Sequence, residues 1–101
     1  MKVVIIALRS ADNSKEDFAP YLDAEAAQAF EHMEENFFRE IFGLRDGRGT
    51  VIVVEAESEE VERAKMAEMP LSKTGLLNSE IYPVKAYRGM EQAADLLRIK
   101  R

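Results

Sequence analysis

The segment Lys2–Arg9, with the sequence KVVIIALR, decides the fold class. Its six consecutive apolar residues, Val3 to Leu8, are rich in β-branched side chains, which predicts a strand that is apolar on both faces. Residues 50–56 carry a second run of this kind, Val51 to Val54. Strands that are apolar on both faces lie at the centre of a covered sheet. We therefore expect these two segments to be the central strands of one sheet.

The segments between these strands predict a helix and a third strand. Asp23 is expected to cap a helix whose inward stripe consists of Ala26, Ala27, Phe30, Met33 and Phe37. Residues 38–45 alternate, which places Phe38, Glu40, Phe42 and Leu44 on one strand face. The turn sequence DGRG at residues 46–49 then joins this strand to residues 50–56 as a hairpin.

The second half of the chain continues the pattern. Ser58 is expected to cap a shorter helix that ends before Pro70. Residues 79–87 form a strand, which Pro83 restricts to a sheet edge because proline has no backbone N–H. A last helix has its apolar stripe at Met90, Ala93, Ala94 and Leu97. The order βαββαβ plus a C-terminal helix predicts an α+β, ferredoxin-like split βαβ fold with an antiparallel four-stranded sheet.

Composition excludes several classes of function. The 101 residues, 47% hydrophobic and 33% charged, predict one folded domain over residues 1–101. With no cysteine and one histidine, the chain lacks the ligands of common metal sites, and no glycine-rich phosphate loop is present, so we expect neither metal nor cofactor. The net charge of −5 disfavours nucleic acid, and the apolar runs are too short for a membrane span. We expect a cytoplasmic protein.

The two apolar faces of the central strands bear on assembly. In this topology the crossover helices cover only one face of the sheet, so the C-terminal helix or a second subunit must cover the other. Large exposed apolar surfaces more often mark subunit contacts, which favours two sheets packed face to face in a homodimer or a higher homo-oligomer. A charge on the uncovered face, from Val53→Lys or Val54→Lys, is expected to disrupt that contact.

Several local motifs resemble those of the muconolactone isomerase-like family. They are REIF at residues 39–42, VVEA at 53–56, MPL at 69–71, EIYPV at 80–84 and YRG at 87–89. The resemblance covers roughly residues 1–90. It implies a dimeric α/β barrel that encloses a pocket for a small apolar ligand. It also implies an isomerase that moves a proton in an unsaturated lactone, within a wider superfamily that includes cofactor-free monooxygenases.

Proton transfer next to a carbonyl needs a base and a donor for the developing oxyanion. Glu40 and Glu55 are the candidate catalytic carboxylates, because each lies in a largely apolar strand pattern. Arg39 and Tyr82 are the candidate oxyanion donors, and Phe42 is a candidate contact for the substrate. Alternatively, Glu40 lies on an edge strand and Glu55 at a strand end, where each contacts solvent or a structural ion pair.

The single histidine, His32, is not expected to act in catalysis, because it lies on the polar, solvated face of the first predicted helix.

The candidate carboxylates and oxyanion donors favour a cofactor-free isomerase acting on a small unsaturated lactone or carbonyl compound. The alternatives are a non-catalytic module for ligand binding or assembly, and a cofactor-free monooxygenase.

Overall fold

A four-stranded antiparallel sheet forms the centre of the protein. The computed structural model describes residues 1–100, with the side chains of residues 1–98. The strands lie in the order β2-β3-β1-β4. Their bounds are β1 (Lys2–Arg9), β2 (Phe38–Gly43), β3 (Gly49–Glu55) and β4 (Leu77–Val84). The two doubly apolar segments are central and the strand with Pro83 is an edge, as predicted.

Five helices accompany the sheet within the described residues. They are α1 (Lys15–Phe18), α2 (Leu22–Glu34), α3 (Glu59–Ala67), α4 (Pro70–Thr74) and α5 (Arg88–Lys100), with a 3-10 turn at Ala19–Tyr21. The predicted order βαββαβ plus a C-terminal helix is confirmed, and the short helices α1 and α4 are additions. None of the helices in residues 1–100 is long and apolar enough to cross a membrane.

The two faces of the sheet have different environments. Val3 and Ile5 lie opposite Val54 and Ile52, and all four side chains are buried with Phe37, Phe38, Ala56 and Met69 in the core. Val4 lies opposite Val53, and these two side chains point to the other face and stay partly exposed. We call the first the helix face and the second the open face. Val53, not Val54, is therefore the residue that a covering subunit would contact.

The C-terminal helix leaves the open face uncovered. Met90 and Leu97 on α5 are 67% and 58% exposed, while Phe42 and Tyr82 on the open face are 54% and 48% exposed. The molecule measures 59 × 28 × 20 Å and its radius of gyration is 17.0 Å, compared with about 13 Å for a compact domain of about 100 residues. Helix α5 accordingly projects away from the body of its own protomer.

A β-bulge changes the faces of β2. Phe38 pairs with Val54 and Glu40 pairs with the adjacent Val53, so Arg39 is the extra residue of the bulge. Phe38 therefore points to the buried helix face, whereas Glu40 and Phe42 point to the open face. The expectation that Phe38 shares a face with Glu40 and Phe42 is wrong, because one inserted residue reverses the alternation.

Helix α2 turns a different side to the sheet from the one that the sequence predicts. It begins at Leu22, with Tyr21 as the N-cap residue and no side-chain cap, so Asp23 does not cap it. His32 is buried, whereas Phe30 is 65% exposed. The predicted stripe therefore points outward over most of its length, and the side chains on the His32 side of the helix cover the sheet.

Helix α3 buries an acidic side chain. Ser58 caps it as predicted, its hydroxyl accepting a hydrogen bond from the Val61 N–H at 3.2 Å. Glu62 is only 2% exposed. Among the residues that the structure describes, no group hydrogen-bonds its buried Oε1 atom. Burial raises the pKa of the Glu62 carboxyl. The unfolding free energy therefore falls as pH rises from the ordinary to the raised pKa.

Replacing this carboxylate by an apolar side chain of similar length should stabilise the protein. We expect Glu62→Met to raise the unfolding free energy at neutral pH by about 1–3 kcal/mol, the usual cost of a buried polar group without a partner. The gain should shrink at pH values below the ordinary carboxyl pKa. Urea denaturation measures both effects. Glu60→Met, on the exposed side of α3, is the control, and a loss of stability in Glu62→Met alone would contradict the prediction.

Candidate functional site

A cavity of about 280 Å³ lies between the helix face of the sheet and the helices that cover it. We call it the helix-side cavity. Its walls are mainly apolar and include Phe18, Phe38, Ile52, Met66, Met69 and Leu71. Its polar lining consists of Arg9, Glu25, Thr50, Ser72 and Ser79. Apolar cavities with a few convergent polar groups are typical sites for small molecules.

Glu25 is the carboxylate of this cavity. Helix α2 places it two turns before His32, on the side that covers the sheet. Its Oε1 atom accepts a hydrogen bond of 2.8 Å from the backbone N–H of Leu71, which joins α2 to α4. Burial raises the pKa of the Glu25 carboxyl, and the Leu71 hydrogen bond and the charge of His32 offset part of that rise. A carboxylate with a raised pKa is a stronger base than one in water.

Arg9 supplies the positive charge. It is the last residue of β1, and its guanidinium carbon lies 5.0 Å from the ring centre of Phe18. Guanidinium groups stack on aromatic faces in this way. Phe18 itself is 2% exposed, and its buried ring holds Arg9 at the cavity. A base, a cation and hydroxyl groups within apolar walls can bind a small molecule that carries a negative oxygen.

His32 packs in the core beneath α2. The residue is 3% exposed, and its ring contacts those of Phe37 and Phe38 at centroid distances of 5.0 Å each. The Nδ1 atom lies 2.6 Å from Oε1 of Glu35. Hydrogen bonds from His32 and Lys65 hold the pKa of the Glu35 carboxyl below its usual range. The expectation of a solvated histidine is wrong, because the rotation of α2 turns this face of the helix onto the sheet.

Most of the residues that the sequence singled out share the open face instead. Glu40 lies opposite Val53, Phe42 opposite Val51, and Tyr82 opposite Val4. Glu55 lies on the same face, opposite Lys2. These four side chains are thus brought to one surface, but none of them lines the helix-side cavity.

The contacts of these residues are local. The Glu55 Oε2 atom lies 3.3 Å from the N-terminal amine. The Tyr82 hydroxyl donates a 2.7 Å hydrogen bond to Glu80, which raises the pKa of Tyr82. Arg39, at the bulge, donates from Nε to the Asn36 carbonyl at 2.7 Å. Within the described residues, no three His, Cys, Asp or Glu side chains cluster so as to hold a metal ion.

Sequence reasoning missed Glu25 and Arg9 for one reason each. His32 is predicted on the polar, solvated face of the helix, and Glu25, two turns earlier, lies on that same face. Arg9 follows an apolar strand, a position where a charged residue usually marks only the strand end. A combined signal exists in the sequence. Glu25, Ala29 and His32 follow the spacing of one helical face, and the small Ala29 between the two larger residues leaves room above the sheet.

Known proteins resemble this chain in structure rather than in sequence. No protein-family model matches the sequence, and no curated protein matches it significantly. The structure of 5-chloro-2-hydroxyhydroquinone dehydrochlorinase from Burkholderia phenoliruptrix AC1100, in complex with 2,5-dihydroxybenzoquinone, superposes with a TM-score of 0.70 at 17% identity. The match covers 88% of this chain and 98% of the dehydrochlorinase.

A second structural match is muconolactone isomerase, the enzyme after which the family noted in the sequence analysis is named. The crystal structure of muconolactone isomerase superposes with a TM-score of 0.73 at 13% identity, over 87% of this chain and 92% of the isomerase. At this identity the likeness concerns the fold. It agrees with the βαββαβ order and with the strand order β2-β3-β1-β4. The protein therefore has the muconolactone isomerase-like fold, of the dimeric α/β-barrel type.

Proposed function

We propose that the protein is a cofactor-free enzyme that moves a proton within a small unsaturated lactone or carbonyl compound bound in the helix-side cavity. The observation that carries this proposal is Glu25, a carboxylate with a raised pKa that lines an apolar cavity together with Arg9. The muconolactone isomerase-like fold supports it, because one structural neighbour is an isomerase and the other a dehydrochlorinase.

The proposed reaction uses these two residues in different roles. The Glu25 carboxylate removes a proton from a carbon activated by the carbonyl group, and the electron pair of the C–H bond forms an enolate. Arg9 stabilises the negative oxygen of that enolate. Glu25 then returns the proton to another carbon of the conjugated system, which shifts the double bond and leaves the atom count unchanged. The hydrogen bond from Leu71 fixes the carboxyl group during both steps.

The uncovered sheet supports a proposal on assembly. Two open faces packed against each other would bury Val4, Val53, Phe42 and Tyr82 in a homodimer. Glu40 and Glu55 would then lie between the two sheets. They are the second candidates for the proton-transferring groups, favoured by their common face with Phe42 and Tyr82, and the experiments below include both.

Turnover in heavy water tests the proposed activity. We expect a panel of small unsaturated lactones to contain a substrate that takes up solvent deuterium at the carbon that receives the proton, observed by proton NMR. Binding without exchange would favour a non-catalytic module. Oxygen consumption with quinol substrates would favour a monooxygenase. Either result would overturn the isomerase proposal.

The role of Arg9 gives a separate prediction. Replacing Arg9 with glutamine should lower kcat/KM by about tenfold or more, because a hydrogen bond to a charged group contributes about 1.5–3 kcal/mol. The loss should fall mainly on kcat, since the negative charge on the oxygen develops only as the enolate forms. Arg45→Gln is the matched control, since Arg45 is exposed and does not line the cavity. Equal kcat/KM values for the Arg9 variant and the control would contradict this role.

A further inference from the structure

Two helices of this chain expose apolar stripes on their surfaces. On α2 the stripe consists of Leu22, Ala26, Phe30 and Met33, with Leu22 45%, Phe30 65% and Met33 37% exposed. Leu22 and Ala26, at its edge, also line the rim of the helix-side cavity. On α5 it consists of Met90, Ala93, Ala94 and Leu97, with Met90 67% and Leu97 58% exposed. Exposed apolar surfaces of this extent mark interaction sites.

The stripe on α2 is not an accident of composition. It follows helical spacing, and the opposite side of the same helix carries the buried His32 and the cavity residue Glu25. Helix α2 therefore packs on its own sheet with one side and exposes a separate apolar stripe to its surroundings. An outward stripe bordered by Asp23 and Glu34, which are both exposed, has the form of a contact surface with a charged rim.

The helix α5 needs a partner of its own. It has 13 residues, and an isolated helix of about that length is only marginally stable in water. In the structure it extends from the protomer, whose longest dimension is 59 Å. Its stability therefore depends on a surface that lies outside its own protomer.

Charge decides which surface matches. Helix α2 contains four acidic residues and no lysine or arginine, so two α2 helices repel each other. Helix α5 contains three basic and two acidic residues. Its Arg98 is 80% exposed and is held only by a surface ion pair of 3.6 Å with Asp95, a kind of pair that contributes little to stability. The basic helix with an apolar stripe thus complements the acidic helix with an apolar stripe.

We propose that α5 of one protomer packs on the outward stripe of α2 in a second copy of this chain. The exchange is reciprocal, because every copy carries both surfaces, and a two-fold axis closes it. This contact differs from the sheet-to-sheet contact proposed above. It involves neither Glu25 nor Arg9, although Leu22 and Ala26 at its edge also line the helix-side cavity. It provides a second interface between copies of this chain.

The absence of cysteine from the chain allows a clean crosslinking test. One protein sample carries only Ala26→Cys, at the centre of the α2 stripe, and a second carries only Ala93→Cys, on the α5 stripe. Mixed and treated with a short bifunctional maleimide, they can form a heterodimer only if α2 of one chain contacts α5 of another. We expect the crosslinked yield to exceed that of the control mixture by about tenfold. The control pairs Ala93→Cys with Ala24→Cys, which lies on α2 but outside the stripe.

Three results would overturn the proposal. One is a yield for the Ala26 and Ala93 pair that equals the control. Another is crosslinking of Ala93→Cys chains mainly to each other, which would indicate paired α5 helices. The third is an internal crosslink in a single chain that carries both substitutions, which would place α5 on its own α2.

A charge exchange adds a readout that does not depend on cysteine placement. Glu34→Lys or Arg98→Glu alone should lower the crosslinked yield by about two- to fivefold, because exposed ion pairs are weak. The two substitutions together, one on each chain of the mixture, should restore it. Both residues are exposed, so neither change should affect folding. A combined variant that crosslinks no better than the single ones would contradict the proposed pairing of α2 with α5.

Discussion

Replacing Glu25 with glutamine is expected to reduce kcat by about 10²- to 10⁴-fold, the usual contribution of a positioned acid–base group. Glutamine keeps the size of the side chain and a carbonyl oxygen that can accept the hydrogen bond from Leu71. It cannot take up a proton from the substrate. Steady-state kinetics with the substrate found in the lactone panel measures the loss, and KM should change much less than kcat.

Glu40→Gln and Glu55→Gln are the matched comparisons for this prediction. If the helix-side cavity is the site, both variants should retain kcat within about threefold, a change small beside the contribution expected of an acid–base group. The opposite pattern, with Glu25→Gln active and Glu40→Gln or Glu55→Gln inactive, would move the reaction to the space between two open faces.

The raised pKa of Glu25 adds a second signature. Burial raises the pKa in the folded protein, so the folded state binds more protons than the unfolded state in the window between the ordinary and the raised pKa. The unfolding free energy therefore falls as pH rises through that window. Glu25→Gln should consequently be more stable than the unmodified protein at neutral pH, with the difference fading below the ordinary carboxyl pKa. Lost activity with increased stability distinguishes a missing base from a damaged fold.

Most of the fold was predictable because its strands carry strong local signals. Residues 2–9 could form little else than a central strand, and the turn around Gly47, whose φ is 79°, needs a residue that tolerates the left-handed region. Pro83 placed the last strand at an edge. In each case the local preference and the tertiary structure agree, so periodicity was enough.

The candidate site was not predictable in the same way, because it depends on the rotation of α2 about its own axis. Periodicity identifies the apolar stripe through Phe30 and Met33, but it does not say whether that stripe faces the core or another molecule. Here the side with Glu25 and His32 covers the sheet. The bulge at Arg39 had a similar effect on β2. One extra residue reversed which side chains point to each face of the sheet, and no glycine or proline at that position indicates a bulge in the sequence.

Introducing a lysine at Val53 is expected to abolish the sheet-to-sheet dimer. Val53 lies at the centre of the open face, opposite Val4 on one side and Glu40 on the other. A stable contact between two such faces would bury about 1,200–2,000 Å² in total. An ammonium group placed inside it must lose its hydration, and the two-fold partner places a second ammonium nearby. We expect the dissociation constant to rise by at least about 100-fold, measured by light scattering and sedimentation at micromolar concentration.

The same substitution should leave the protomer folded, which separates loss of assembly from loss of structure. In the isolated protomer Val53 is partly exposed. Glu40 lies directly across the strand pair, so its carboxylate can pair with the new ammonium group, and cross-strand pairs of opposite charge stabilise antiparallel strands. Val54→Lys is the opposite case, because Val54 is 0% exposed beneath the helices and a lysine there should unfold the protein. Val53→Thr changes the polarity at the open face without adding charge and should weaken the dimer far less. An unmodified protein that is monomeric at micromolar concentration, or a Val53→Lys variant that dimerises as tightly as the unmodified chain, would mean that the open face contacts solvent and not a second sheet.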